Sequence, residues 1–116
     1  MMQSNHHNEV IYSRLCNDPD LTDILEMFIA EMPGRVDKLL RHMEEKNWEA
    51  LRRTAHQIKG AAGSYGFEAL TPAAARVEHA VRDNEPEERI QAAVMELVDL
   101  CRRIRHGRPA EKVAVS

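Results

Sequence analysis

The sequence predicts an all-α protein, an antiparallel four-helix bundle with an additional short or kinked helix at its N-terminal side. Three observations carry this. Apolar residues recur at three- and four-residue spacing in successive stretches, with no convincing alternating stretch of strand type. Glycine and proline, five of each in 116 residues, punctuate the chain rather than crowd any part of it. Only 4% of the residues are aromatic, so aliphatic side chains and alanine must fill the core, which favours close helix packing over a sandwich.

Each element has its own signals. Asn17-Asp18-Pro19-Asp20 reads as a turn into a helix, with Asp20 as N-cap and Asp23 in the first turn. Leu21, Ile24, Leu25, Phe28, Ile29 and Met32 then recur at helical spacing. Pro33-Gly34 is expected to break or kink this helix, and Val36, Leu39, Leu40 and Met43 continue the pattern to about Lys46. Asn47 looks like the N-cap of the next helix, with Glu49 near its positive end and Trp48 as a core anchor. Gly63-Ser64-Tyr65-Gly66 ends that helix.

The following helix starts between Phe67 and Thr71. Either Thr71-Pro72 supplies N-cap and N1, or Pro72 lies inside the first turns. Leu70, Ala73, Ala74, Val77, Ala80 and Val81 form its buried side. Asp83-Asn84-Glu85-Pro86 is a turn, and the last helix runs from about Pro86 to Arg105 with Ile90, Val94, Leu97, Val98, Cys101 and Ile104 on one face. The organisation expected is an N-terminal segment over 1–19, partly disordered, a helical bundle over 20–106 and a flexible tail over 107–116.

Composition narrows the function. A chain of this length supports one domain and one modest core. A net charge of −3 argues against a dedicated nucleic-acid binder. No signal peptide and no apolar run of membrane-spanning length is present, and the expected location is cytoplasmic. Cys16 and Cys101 lack metal-ligand spacing and read as reduced thiols. His42, His79 and His106 have no companion ligands and read as surface or boundary residues, and His6-His7 belongs to a polar terminus. No metal site and no cofactor bound by this chain is expected.

The richest stretch is Thr54-Ala55-His56-Gln57-Ile58-Lys59-Gly60-Ala61-Ala62-Gly63. Advancing about 100° per residue from Leu51, the residues Ala55, Ile58 and Ala62 fall within about 40° and make a core stripe. Lys59, Arg52, Gly63 and His56 follow at about 80°, 100°, 120° and 140°, and Gly60 near 180° by the same count. His56 therefore sits at the outer edge of the buried stripe. A histidine is largely neutral near pH 7 and offers one nitrogen lone pair. Lys59, three residues on, can offset the charge of a phosphoryl group. Gly60 and Gly63 each weaken a helix by about 1 kcal/mol relative to alanine, which suggests a cleared surface for another protein's backbone. If this helix and the next form a hairpin turning near Ser64 to Phe67, position 56 faces positions 75 to 79. Glu78 falls there and can hold the imidazole tautomer. Arg52 shares the His56 side and can meet an acidic partner.

These residues resemble the histidine-containing phosphotransfer (HPt) domains. The Ala55-His56 and Lys59-Gly60 pairs match directly, as does Ser64-Tyr65-Gly66-Phe67-Glu68-Ala69-Leu70, and Val77-Glu78 stands where that family often has leucine-glutamate. The likeness covers roughly Leu21 to Arg105. It departs from the glutamine form that often faces the histidine. The resemblance implies a phosphorelay intermediate in a two-component pathway, with His56 as phosphoacceptor between receiver-domain aspartates. It implies response-regulator receiver domains and a hybrid sensor histidine kinase as partners, with Mg²⁺ held by the receiver. Arg52, Gly60 and Gly63 would line the docking surface. Neither a Walker-type loop nor a kinase glycine box is present, so no autokinase activity is expected. The chain is expected to be monomeric, and Met1 with the short tails suggests a free-standing protein. The competing readings are a helical adaptor that binds receivers or kinases without phosphorylation and, less well supported, a hydrolytic enzyme using His56.

Overall fold

A computed structural model describes residues 9–107. The expectations for His6-His7 and for the tail beyond Gly107 lie outside the described residues. A 3₁₀ turn, Pro19–Leu21, leads into four α-helices: α1 Thr22–Glu44, α2 Trp48–Ser64, α3 Leu70–Arg82 and α4 Glu87–Arg103. Each helix packs on its neighbours in the ring α1–α2–α3–α4–α1, and the α2–α3 contact is the most extensive. Short connections make consecutive helices antiparallel. The expected bundle is therefore present.

Of the break or kink expected at Pro33, the break does not occur. α1 is one 23-residue helix with Pro33 inside it. The reason is the stripe Leu25, Phe28, Met32, Val36 and Leu39, which stays in phase across the proline and is buried on both sides of it. Burying each such side chain contributes about 1.5–3 kcal/mol, and together they exceed the ~3 kcal/mol cost of an internal proline. The additional N-terminal helix reduces to the 3₁₀ turn. Its cap is also two residues earlier than expected: Asp18 takes the place given to Asp20, accepting the backbone N–H of Asp20 at 2.9 Å.

Asn47 caps α2 as expected, its side-chain oxygen accepting from Ala50 N at 3.3 Å. α3 begins at Leu70, so Pro72 lies inside the first turn, where its missing N–H has no intrahelical partner to lose. α4 stops at Arg103, two residues before the expected Arg105, because Ile104 turns to extended geometry. The first three helices end alike. Lys46, Gly66 and Asn84 take positive φ, and the next residue's N–H returns to a carbonyl in the last turn: Asn47 to His42, Phe67 to Ala62, Glu85 to Ala80.

The described part of the segment before residue 19, from Glu9 onward, is held against the bundle. Ile11 pairs with the end of α4, its N–H donating to Arg103 O at 2.8 Å and its carbonyl accepting from Arg105 N at 3.0 Å. Ser13 is buried and donates to Tyr65 O, while Arg14 N donates to Gly66 O at 2.8 Å. This strap closes the end of the bundle where Phe28 meets Tyr65 and Phe67, with ring centroids 5.2 and 5.4 Å apart. His106, read from sequence as a surface or boundary residue, places Nε2 3.3 Å from Glu26 Oε2.

Elsewhere the core is aliphatic. Between α2 and α3 it is largely alanine: Ala55, Ala62, Ala73 and Ala74 are fully buried. Small side chains let two helix axes approach closely, which sets up the contacts described next. Cys16 and Cys101 are free thiols, and burial pushes the Cys101 thiol up to about 12. Among the described residues no helix is long and apolar enough to cross a membrane.

Candidate functional site

The core stripe of α2 is Leu51, Ala55, Ile58 and Ala62, all inaccessible to solvent. That phase turns His56 outward, and its side chain is 63% exposed. Across the alanine seam, Glu78 of α3 is nearly buried, with its side chain 11% exposed. His56 Nδ1 lies 2.8 Å from Glu78 Oε2. Lys59, one turn further along α2, places Nζ 2.6 Å from Glu78 Oε1. One carboxylate thus joins the two α2 side chains that the sequence put on one face.

The electrostatics follow from this placement. Burial pushes the Glu78 carboxyl upward, but the hydrogen bonds from Lys59 and His56 and their charges outweigh it, and the group stays below the usual carboxylate range. An ionised carboxylate only accepts hydrogen bonds. His56 Nδ1 must therefore carry the hydrogen and donate to Glu78. In the neutral ring the lone pair is then on Nε2, at the other side of the exposed imidazole.

The remaining site residues fall as follows. Gly60 and Gly63 are exposed on α2, and a Cβ at Gly60 would meet nothing within 4 Å. At Gly63 it would only touch the Thr71 hydroxyl at 3.9 Å. Arg52 lies one turn before His56 on α2, but its guanidinium is engaged: Nε is 3.2 Å from Glu49 Oε1 and Nη2 is 2.6 Å from Glu49 Oε2. Lys59, expected to offset the charge of a phosphoryl group, is paired here with Glu78. Sequence reasoning passed over Glu49 as a side chain of the site, although its i,i+3 spacing to Arg52 was a usable signal. Among the described residues no cluster of three or more His, Cys, Asp or Glu could hold a metal ion.

No curated protein and no solved structure matches the chain significantly. A family model does: the one described as the Hpt domain matches residues 23–107, a span that takes in all four helices apart from Thr22 and contains His56, Lys59 and Glu78. An exposed helical histidine braced by a neighbouring helix, within a matched span covering well over half of the sequence, leads to one conclusion: the chain belongs to the Hpt domain family.

Proposed function

We propose that this chain relays a phosphoryl group between the aspartates of receiver domains, with His56 Nε2 as the acceptor atom. Membership of the Hpt family supports a two-component phosphotransfer role in general. The observation that carries the finer reading is the His56–Glu78 contact at 2.8 Å, which leaves the lone pair on the solvent side of the ring.

The chemistry balances without a further reactant. Nε2 attacks the phosphorus of a receiver's aspartyl phosphate. The N–P bond forms as the P–O bond to the aspartate breaks, and the carboxylate departs with the electron pair. The ring becomes a phosphoimidazolium that keeps its Nδ1 hydrogen, and Glu78 stabilises the new positive charge at hydrogen-bond distance. In the second transfer a receiver carboxylate attacks phosphorus and the electron pair of the N–P bond returns to the ring. The receiver supplies its own acidic pocket and Mg²⁺. Lys59 is a positioning residue: it holds Glu78 ionised and in place, and contributes a positive field at the edge of the site. Gly60, Gly63 and Arg52 lie on the surface the receiver approaches. In this reading the protein is a cytoplasmic monomer served by a hybrid sensor histidine kinase.

The test is incubation of the chain with a phosphorylated receiver domain, followed by an assay for acid-labile phosphate. Labelling of wild type and none of His56→Gln, with helicity retained, is the expected result. Equal labelling of both rejects His56. Tight receiver binding with no labelling of wild type would favour the adaptor reading.

A further inference from the structure

We propose that Arg52 is the side chain that binds the phosphoryl oxygens on His56, by leaving Glu49 when phosphate arrives. This rests on His56 Nε2 being the acceptor.

Of the cations within a turn of His56, Lys59 and Arg52 lie nearest its face of α2 or its partner Glu78, and their situations differ. Lys59 is held by Glu78 at 2.6 Å, and Glu78 is nearly buried. Moving Lys59 onto a phosphoryl group would break a pair made to a nearly buried carboxylate, a larger change than releasing an exposed one. Arg52 is held by Glu49, and that pair is exposed, at 37% and 60% for the two side chains. An exposed pair of this kind has little net stability to lose. Glu49 also has a second partner ready, since Arg53 Nη2 lies 3.7 Å from its Oε2. Glu49 therefore keeps a cation when Arg52 departs.

Geometry places Arg52 on the correct side. Residues at i and i+4 of a helix are neighbours, with Cβ atoms about 5–6 Å apart. Helical side chains lean toward the N-terminus, so the His56 imidazole leans over the turn that carries Arg52. Nδ1 is turned toward Glu78 of α3, and Nε2 is the ring nitrogen left for a group held from α2 itself. A guanidinium binds phosphoryl oxygens through two parallel N–H donors, which an ammonium cannot reproduce. The present clasp on the Glu49 carboxylate is the same two-pronged arrangement made to a resident anion.

The test uses the full chain and phosphoramidate, a small donor that needs no receiver. The rate of acid-labile incorporation is measured at low salt for wild type, H56Q, R52Q, E49Q and the double variant E49Q/R52Q. R52Q should label about tenfold more slowly, the loss of one charge-assisted contact at an exposed site. E49Q should label faster, because it frees Arg52 in advance, and this gain should vanish in the double variant. A clasp that merely stiffens α2 would slow both single variants, which overturns the proposal. So does a wild-type rate in R52Q, or an E49Q gain that survives without Arg52 and thus reflects only the removal of a negative charge. Failure of the underlying reading shows differently: wild type takes up no more phosphate than H56Q, and the proposal falls with it.

Discussion

Lys59 Nζ sits 2.6 Å from Glu78 Oε1, a pair formed across the α2–α3 seam with only the lysine substantially open to solvent. The pair determines what Glu78 can do to His56. With the ammonium beside it the carboxylate stays ionised, accepts from Nδ1 and commits the imidazole to one tautomer.

Replacing Glu78 by glutamine should break this arrangement. The amide oxygen can accept from His56 Nδ1, but the amide nitrogen then faces the Lys59 ammonium, donor against donor. Either His56 or Lys59 loses its partner. A hydrogen bond to a charged group contributes about 1.5–3 kcal/mol, so Glu78→Gln should lower the rate of phosphoryl acceptance by about 10- to 100-fold. Nitrogen NMR of the His56 ring checks the cause: wild type should show hydrogen on Nδ1 and the variant a mixture of tautomers.

The same carboxylate makes stability depend on pH. Its folded-state value lies below the ordinary 4.5, so the folded protein holds the proton less tightly than the unfolded chain. The contribution of the ionised group is fully present above about 4.5 and is lost as pH falls through the lower folded value. Urea midpoints of wild type and Glu78→Gln should therefore differ by a constant amount from neutral pH down to pH 5, and converge below it.

Gly60 should separate stability from docking. Nothing stands within 4 Å of a Cβ at this position, so Gly60→Ala should raise stability by about 0.5–1 kcal/mol through helix propensity, read as a higher melting temperature. Gly60→Gln should keep most of that gain and slow transfer from a receiver, while leaving labelling by phosphoramidate unchanged. A receiver that transfers to both variants at the wild-type rate would remove Gly60 from the docking surface.

Gly66 should behave in the opposite way. It has φ +81°, and a Cβ there would stand 2.6 Å from Ser13 Oγ and 3.1 Å from Arg14 N. Gly66→Ala should cost at least about 1–2 kcal/mol, from the left-handed backbone alone, with a further loss as the Ser13 contact is pushed away. Chemical denaturation of the variant measures it.

The parts of this structure that could be read from sequence are local or one hairpin away. Leu51, Ala55, Ile58 and Ala62 are buried as their helical phase requires, and His56 is exposed for the same reason. Glu78 could be placed opposite His56 by counting back through one short turn. That α1 runs on through Pro33 was not legible because a local rule met a nonlocal stripe: Phe28, Met32, Val36 and Leu39 are buried against other helices, and no window around the proline contains those partners. The Ile11–Ile104 bridge has no local pattern at all. The engagement of Lys59 and Arg52 was missed for a third reason. Each was assigned to an incoming anion, whereas Glu78 and Glu49 are anions already in place.

The strap has a consequence for substitutions made in it. Ile11 is hydrogen-bonded to Arg103 and Arg105, separated from it along the chain by all four helices, and its neighbours Ser13 and Arg14 are bonded to Tyr65 and Gly66. Neither set forms until the helices have docked, since closing so long a loop costs entropy that only the assembled bundle offsets. The beginning of the described chain, the α2–α3 turn and the exit of α4 are therefore hydrogen-bonded into one end of the bundle. The strap meets the end of α2 at Tyr65 and Gly66, more than two helical turns from His56, so a substitution in it should act on stability, read by denaturation, and leave the His56–Glu78 contact in place.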